Sequence, residues 1–225
     1  MPVTTVLGYD AMGVNAAKLP RGAQAAGYVT GTGGVPWSAQ DWLDHPGAVR
    51  IDQSPVPSAM DATSDVQDME SGAVTLDELA ARVRLMQASY AAGIRPGQRS
   101  PAVYASKSRI TDVVNALIAG GIAGGVGLAV ADYNTTQTDA AAAVAQASGP
   151  YPIIWYQFAD LGDYDAGVFS VPWLDAVSVA RPPAPPGQWS NPAAWTWRDA
   201  WIAGTGLDGN AHAFRLASGQ WAKLF

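Results

Sequence analysis

Two carboxylate residues stand two positions apart near the end of the first third of the chain, in Asp68-Met69-Glu70. The segment 66–70 reads as a β-strand, in which side chains alternate between two faces, so both carboxylates are expected on the same face. At the end of a barrel strand this geometry would make an acid/base pair. Other chemistry has less support, because the chain has no cysteine and its two histidines stand far apart.

Short apolar segments alternate with helical patterns over the first 180 residues. Such alternation implies a mostly parallel sheet with right-handed crossovers. Eight predicted strands suggest a (β/α)8 barrel, but the segment is short for that fold, which usually needs about 250 residues. We therefore predict an α/β fold, an irregular, shortened (β/α)8 TIM-like barrel with a small C-terminal β appendage. The predicted strands are 3–9, 26–30, 48–52, 66–70, 102–105, 126–131, 153–158 and one within 164–180.

A proline-rich run ends the predicted barrel. We assign residues 1–180 to the barrel, 181–187 to a Pro-rich linker of extended polyproline geometry, and 188–225 to the appendage. The appendage is rich in tryptophan and glycine and is too small to hold a large core alone. It is expected to pack on the barrel or on a partner.

Composition and charge restrict the possible partners. Hydrophobic residues make up 48% of the chain, which is ample for a core. A net charge of −6 without a Lys/Arg cluster disfavours nucleic acid and anionic membranes. The apolar run 113–131 is divided by glycines into helix, turn and strand, so no membrane span is predicted. The N-terminus has no features of a Sec signal peptide.

Acidic residues recur at or just after predicted strand ends, where (β/α) barrels carry their active sites. A ring of carboxylates suits glycoside hydrolysis, in which one group is held protonated and another ionised. The same ring would also suit a divalent cation with oxygen ligands. These acidic residues are Asp10, Asp52, Asp68, Glu70, Asp132 and Asp165.

In order along the chain, these motifs resemble glycoside hydrolase family 25, which contains lysozyme-like muramidases with an irregular barrel. The chain is still more similar to the actinobacterial glycoside-hydrolase-like branch, and the resemblance covers roughly residues 3–175. The matching positions are Asp10, Asp68-Met69-Glu70, Ala131-Asp132-Tyr133, Trp155-Tyr156-Gln157-Phe158 and Tyr164-Asp165.

The resemblance implies roles for the matched residues. Glu70 corresponds to the general acid that protonates the glycosidic oxygen, and Asp68 to its partner, which orients or stabilises the substrate. Asp10 and Asp165 correspond to supporting catalytic acids. Family members cleave the bond between N-acetylmuramic acid and N-acetylglucosamine, with no metal and no cofactor. The expected substrate-binding residues are Asp132, Tyr133, Gln157 and Trp155, together with Trp37, which could stack on a sugar ring or close the core.

Three functions stay open at this point. The first is a peptidoglycan-directed glycosidase whose partner is bacterial cell-wall glycan. The second is a structural or adhesive protein of a phage tail or other virion, in which the Trp-rich C-terminal segment contacts other virion proteins. The third is a carbohydrate-binding barrel without turnover. Without a Sec signal, we expect a virion-associated protein or one delivered to the cell wall by another route.

Overall fold

Eight strands close a barrel in the computed structural model, which describes residues 3–30, 35–61, 63–70, 74–91, 99–175, 213–215 and 221–223. Neighbours in the barrel follow the order of the sequence. The strands are β1 (Thr5–Ala11), β2 (Gln24–Tyr28), β3 (Val49–Asp52), β4 (Val66–Asp68), β5 (Ala102–Ser106), β6 (Gly127–Ala131), β7 (Ile153–Asp160) and β8 (Asp165–Ser170).

Helices follow most of the strands and cover the outside of the barrel. Side chains of the three longest described helices join the outward side chains of β5 to β8 in one apolar cluster, which includes Leu79, Val83, Leu117 and Val144. This arrangement of alternating strands and helices confirms the predicted α/β barrel. The helices are α1 (Ala39–Asp44), α2 (Leu76–Ala91), α3 (Ile110–Ala119), α4 (Gln137–Gln146) and α5 (Val171–Asp175).

The irregularity of the barrel lies in its early connections. A 3-10 helix, Gly13–Lys18, joins β1 to β2, and the described residues between β3 and β4 contain one 3-10 turn, Pro57–Ala59. The sequence between β3 and β4 is too short for a packed helix, as predicted. Loops in this region therefore take the place that helices occupy elsewhere around the barrel.

Strand β8 runs opposite to both of its neighbours. The strands β1 to β7 pair in parallel, whereas β8 is antiparallel to β7 and to β1. Only residues 161–164 separate β7 from β8, and a link of that length permits a hairpin but no crossover. The reversal places Asp165, the first residue of β8, beside Asp10 at the C-terminal mouth of the parallel strands.

Side chains that point into the barrel form an apolar lower part and a polar upper part. In the lower part Trp155 stacks on Phe169 with 4.7 Å between ring centroids. Gly8 leaves room for this aromatic pair, since a Cβ there would lie 2.7 Å from the Phe169 ring. The upper part carries the carboxyl, tyrosine and amide side chains of the mouth.

The C-terminal region is described only at two strands. Strands β9 (Ala213–Arg215) and β10 (Trp221–Lys223) form an antiparallel pair. The predicted linker 181–187 and the rest of the Trp-rich segment lie outside the described residues, so the domain boundaries stay predictions. Among the residues that are described, no helix is long and apolar enough to cross a bilayer.

Candidate active site

Four carboxyl groups predicted as catalytic meet at the C-terminal mouth of the barrel. Asp10 belongs to β1, Asp68 ends β4, Glu70 follows two residues later, and Asp165 begins β8. Their charges act on one another: Asp165 and Asp68 both raise the pKa of Asp10 and the pKa of Glu70. The four carboxyl groups of the mouth therefore keep their protons to a higher pH than isolated carboxyl groups do.

Asp10 is buried, with 4% of its surface exposed. Burial raises its pKa well above the usual range, and repulsion from Asp165 adds to this effect. A hydrogen bond from the Gln157 Nε2 amide to Asp10 Oδ1 favours the ionised form but does not outweigh burial. Asp10 is thus a carboxyl group for which the fold favours the neutral state.

Gln157 links the acids to the tyrosines of the mouth. Its amide oxygen accepts a hydrogen bond from the Tyr104 hydroxyl. The Tyr133 hydroxyl lies 2.8 Å from Asp165 Oδ2 and 3.2 Å from Gln157 Oε1, and its single hydrogen favours the shorter contact. Burial and the neighbouring Asp165 raise the pKa of Tyr133, so this hydroxyl stays a donor. The hydrogen bond from Tyr133 to Asp165 therefore connects the segment after β6 to the start of β8.

Asp68 is held by hydrogen bonds at both carboxyl oxygens. Gln53 Nε2 donates to Oδ2 at 2.5 Å, and the backbone N–H of Glu70 donates to Oδ1 at 2.6 Å. Burial raises the pKa of Asp68, while these two bonds and the positive charge of Arg109 oppose the rise. The Gln53 amide and the Glu70 N–H would therefore stabilise a negative charge on Asp68.

Glu70 is the most accessible of the four acids. Its side chain is exposed at a cleft of about 420 Å³. Partial burial raises the pKa of Glu70 and the nearby Asp68 raises it further, whereas the neighbouring Tyr104 hydroxyl and the charge of Arg109 lower it. An accessible carboxyl group with a raised pKa can deliver a proton to a ligand in the cleft. The other lining residues are Ser106, Lys107, Ser108, Ala131, Asp132, Tyr133 and Asn134.

Asp132 lies in the wall of this cleft and differs from the four acids. Lys107 Nζ contacts its Oδ2 at 2.7 Å, and the Tyr156 hydroxyl donates to the same oxygen at 3.1 Å. The hydrogen bond from Lys107 lowers the pKa of Asp132. Asp132 is therefore an ionised, paired residue, suited to binding a polar group rather than to donating a proton.

Trp155 was predicted to bind substrate and Trp37 either to stack on a sugar ring or to close the core, and both side chains are buried. Trp155 packs below the polar layer, inside the barrel. Trp37 packs outside it on Trp42, and its Nε1 donates to the Ala11 carbonyl at 2.7 Å. The ring lies so close to Gly27 that a Cβ there would be 2.0 Å from it. Neither tryptophan lines the cleft.

Sequence reasoning missed Gln53, Tyr104, Lys107 and Arg109. Tyr104 could have been predicted, because it lies near the end of β5 at a position whose side chain points into the barrel.

Asp52 was predicted among the acids of the mouth, but it faces outward and accepts hydrogen bonds from the backbone N–H groups of Ser54 and Asp61, each at 2.7 Å. The next residue, Gln53, reaches the mouth instead.

No group of three or more His, Cys, Asp or Glu side chains suited to a metal ion occurs among the described residues.

Fold and site together define an α/β barrel whose C-terminal mouth carries a cluster of carboxyl and tyrosine side chains. No protein-family model matches the chain, and no curated protein matches it. A crystal structure of an uncharacterized B. stearothermophilus protein is similar, with a TM-score of 0.38 and 12% identity. The match covers 76% of this chain and 98% of that one. A likeness at this level indicates neither a family nor a function.

The raised pKa of Asp10 predicts a specific dependence of stability on pH. For such a group the stabilising contribution is complete below the unfolded pKa of about 3.9 and is lost as the pH rises through the folded pKa. Asp10→Asn keeps an oxygen acceptor for Gln157 and cannot ionise. We expect this variant to become more stable relative to wild type as the pH rises from acidic to neutral, measured by urea unfolding at several pH values.

Asp112→Asn is the control for this measurement, because Asp112 is exposed on α3. Its difference from wild type should stay small across the same pH range. A stability difference for Asp10→Asn that is equal at acidic and neutral pH would show that ionisation of Asp10 has no effect on folding.

Proposed function

We propose that this protein is a glycoside hydrolase that acts on bacterial cell-wall glycan. The supporting observation is Glu70, an accessible carboxyl group with a raised pKa at a cleft beside a second carboxyl group, Asp68. Glycoside hydrolysis requires such a pair, one protonated and one ionised. The resemblance to family 25 supplies the substrate class, the bond between N-acetylmuramic acid and N-acetylglucosamine.

In this proposal Glu70 donates its proton to the glycosidic oxygen as the bond to the sugar breaks, and a water molecule then bonds to the same sugar carbon and returns a proton to Glu70. Asp68 stabilises the positive charge that develops on the sugar, and its ionised form is supported by Gln53 and by the Glu70 N–H. Asp10 and Asp165 hold the network of Gln157 and Tyr133 behind this pair. The rate should fall at high pH as Glu70 loses its proton and at low pH as Asp68 gains one, which gives a bell-shaped profile.

The cleft has the size and lining that a sugar site needs. Its volume of about 420 Å³ falls within the range of small-ligand pockets, about 300 to 1,000 Å³. Ser106, Ser108, Asn134 and the Lys107–Asp132 pair offer donors and acceptors for hydroxyl and acetamido groups. Tyr133, with 46% of its surface exposed, presents a ring at the cleft beside Glu70.

The test is to incubate the full chain with purified peptidoglycan, and separately with chitin oligosaccharides, and to follow the release of reducing ends. We expect release from peptidoglycan above the enzyme-free rate, with a bell-shaped dependence on pH. Absence of release from either glycan at every pH from acidic to mildly basic would overturn the hydrolase proposal.

The second candidate is a barrel that binds glycan without cleaving it, as in an adhesive protein of a phage tail or virion. It is favoured by the state of Asp10 and Asp68, which are nearly fully buried and already bonded to glutamine amides. Calorimetric titration with chitin oligosaccharides tests it: binding without any release of reducing ends would favour this candidate. Contacts with virion proteins were predicted for the Trp-rich segment, most of which lies outside the described residues.

A further inference from the structure

The peptide group between Met69 and Glu70 is held at both of its ends. Its carbonyl oxygen accepts a hydrogen bond from Arg109 Nη1 at 2.6 Å, and its N–H donates to Asp68 Oδ1 at 2.6 Å. Because a peptide unit is planar, these two bonds fix the orientation of one rigid plane. That plane carries the Cα atom of Glu70.

The residue before Glu70 is also fixed by the barrel. The Met69 N–H donates to the Tyr104 carbonyl at 2.9 Å, which extends the pairing of β4 with β5 by one residue. The Met69 side chain is fully buried in the helix-facing cluster. Arg109, directly before α3, supplies the remaining anchor of this turn.

Arg109 also places a positive charge at the acid pair. In the series guanidinium, peptide group and Asp68 carboxylate, each hydrogen bond polarises the next. The charge of Arg109 opposes the effect of burial on the pKa of Asp68 and on the pKa of Glu70. The other charged, titratable or polar groups around the pair are Asp10, Tyr28, Gln53, Tyr104, Lys107, Asp132, Tyr133 and Asp165.

We propose that Arg109 is a positioning residue of this site, which directs the Glu70 carboxyl group through the Met69–Glu70 peptide and favours the ionised form of Asp68. Its kinetic consequence rests on the proposed hydrolase function. The placement of Glu70 and the electrostatic effect of Arg109 do not require turnover, so they can be tested separately.

Arg109→Met removes the donor and the charge while keeping an unbranched side chain. We expect kcat to fall by about tenfold or more, because a small misplacement of a catalytic group is costly, with a smaller change in KM. The pH optimum should move upward, since both carboxyl groups then hold their protons to higher pH. Arg109→Lys keeps the charge and should keep the optimum near that of wild type.

Arg84→Met is the matched control, because Arg84 donates to the Gly120 carbonyl at the opposite end of α3. Carbon-13 NMR titration of the Asp68 and Glu70 carboxyl groups, assigned with Asp68→Asn and Glu70→Gln, gives a readout independent of activity. We expect both groups to titrate at higher pH in Arg109→Met and at the wild-type pH in Arg84→Met. Unchanged titrations in Arg109→Met would overturn the role of Arg109, whereas a wild-type protein without turnover would overturn only the proposed function.

Discussion

Glu70→Gln is expected to reduce the rate of glycan cleavage by about 10²- to 10⁴-fold, the usual contribution of a general acid. Glutamine has nearly the same shape as glutamic acid but has no acidic proton to give to the leaving oxygen. The Glu70 side chain is exposed at the cleft, so the substitution leaves the barrel core untouched. Initial rates of reducing-end release at the wild-type pH optimum measure the effect.

Substrate dependence gives this variant a sharper test. An aryl glycoside with an acidic phenol as leaving group needs little proton donation, so its cleavage should be reduced much less by Glu70→Gln. Asp112→Asn, at an exposed carboxyl group on α3, should cleave both substrates at the wild-type rate. Equal losses on both substrates would contradict proton donation by Glu70, and wild-type rates on both would remove Glu70 from the chemistry.

The order and type of most elements could be predicted because most strands bury an apolar segment between turn signals. The direction of β8 could have been predicted too, since residues 161–164 are too few for a crossover. The position of Trp37 was harder to predict. It depends on the close approach of its ring to Gly27, a contact between separate elements with no local pattern in the sequence.

The four acids of the mouth could be predicted from strand ends and from the resemblance, but the reason given for the Asp68–Glu70 pair was partly wrong. Strand β4 ends at Asp68, so strand alternation does not direct Glu70. Two hydrogen bonds on the Met69–Glu70 peptide do so instead. Gln53 and Arg109 lie outside the strands and helices that flank them, where sequence periodicity does not indicate side-chain direction.

The link between β3 and β4 is held by buried arginines, of which Arg82 makes the most hydrogen bonds. Arg82 of α2 is completely buried and takes the space beside the link between β3 and β4. Its guanidinium donates to the carbonyls of Ser54 and Pro55 and to the Gln67 side chain at 2.9 to 3.2 Å, and it pairs with Glu78 at 3.0 Å. Arg82 thus holds the first residues of a link that has no packed helix to support it, and Arg50 binds Thr63 near its other end.

Arg82→Met is therefore expected to lower the free energy of unfolding by about 3 to 5 kcal/mol, the usual cost of removing one partner from a buried charged network. The substitution leaves the carbonyls of Ser54 and Pro55 without this donor in a buried environment, where an unpaired polar group is costly. Urea unfolding followed by circular dichroism measures the loss. The midpoint should fall while the slope stays near the wild-type value.

Arg84→Met, two residues along the same helix, separates this network from a general effect of losing an arginine. Arg84 is exposed, so its replacement should change the free energy of unfolding by only about 0.5 kcal/mol. Equal losses in the two variants would contradict the role given to Arg82. Because Gln53, which donates to Asp68, is followed directly by Ser54, whose carbonyl Arg82 binds, Arg82→Met should also weaken the support of Asp68. In the folded variant we therefore expect Asp68 to titrate at higher pH than in wild type.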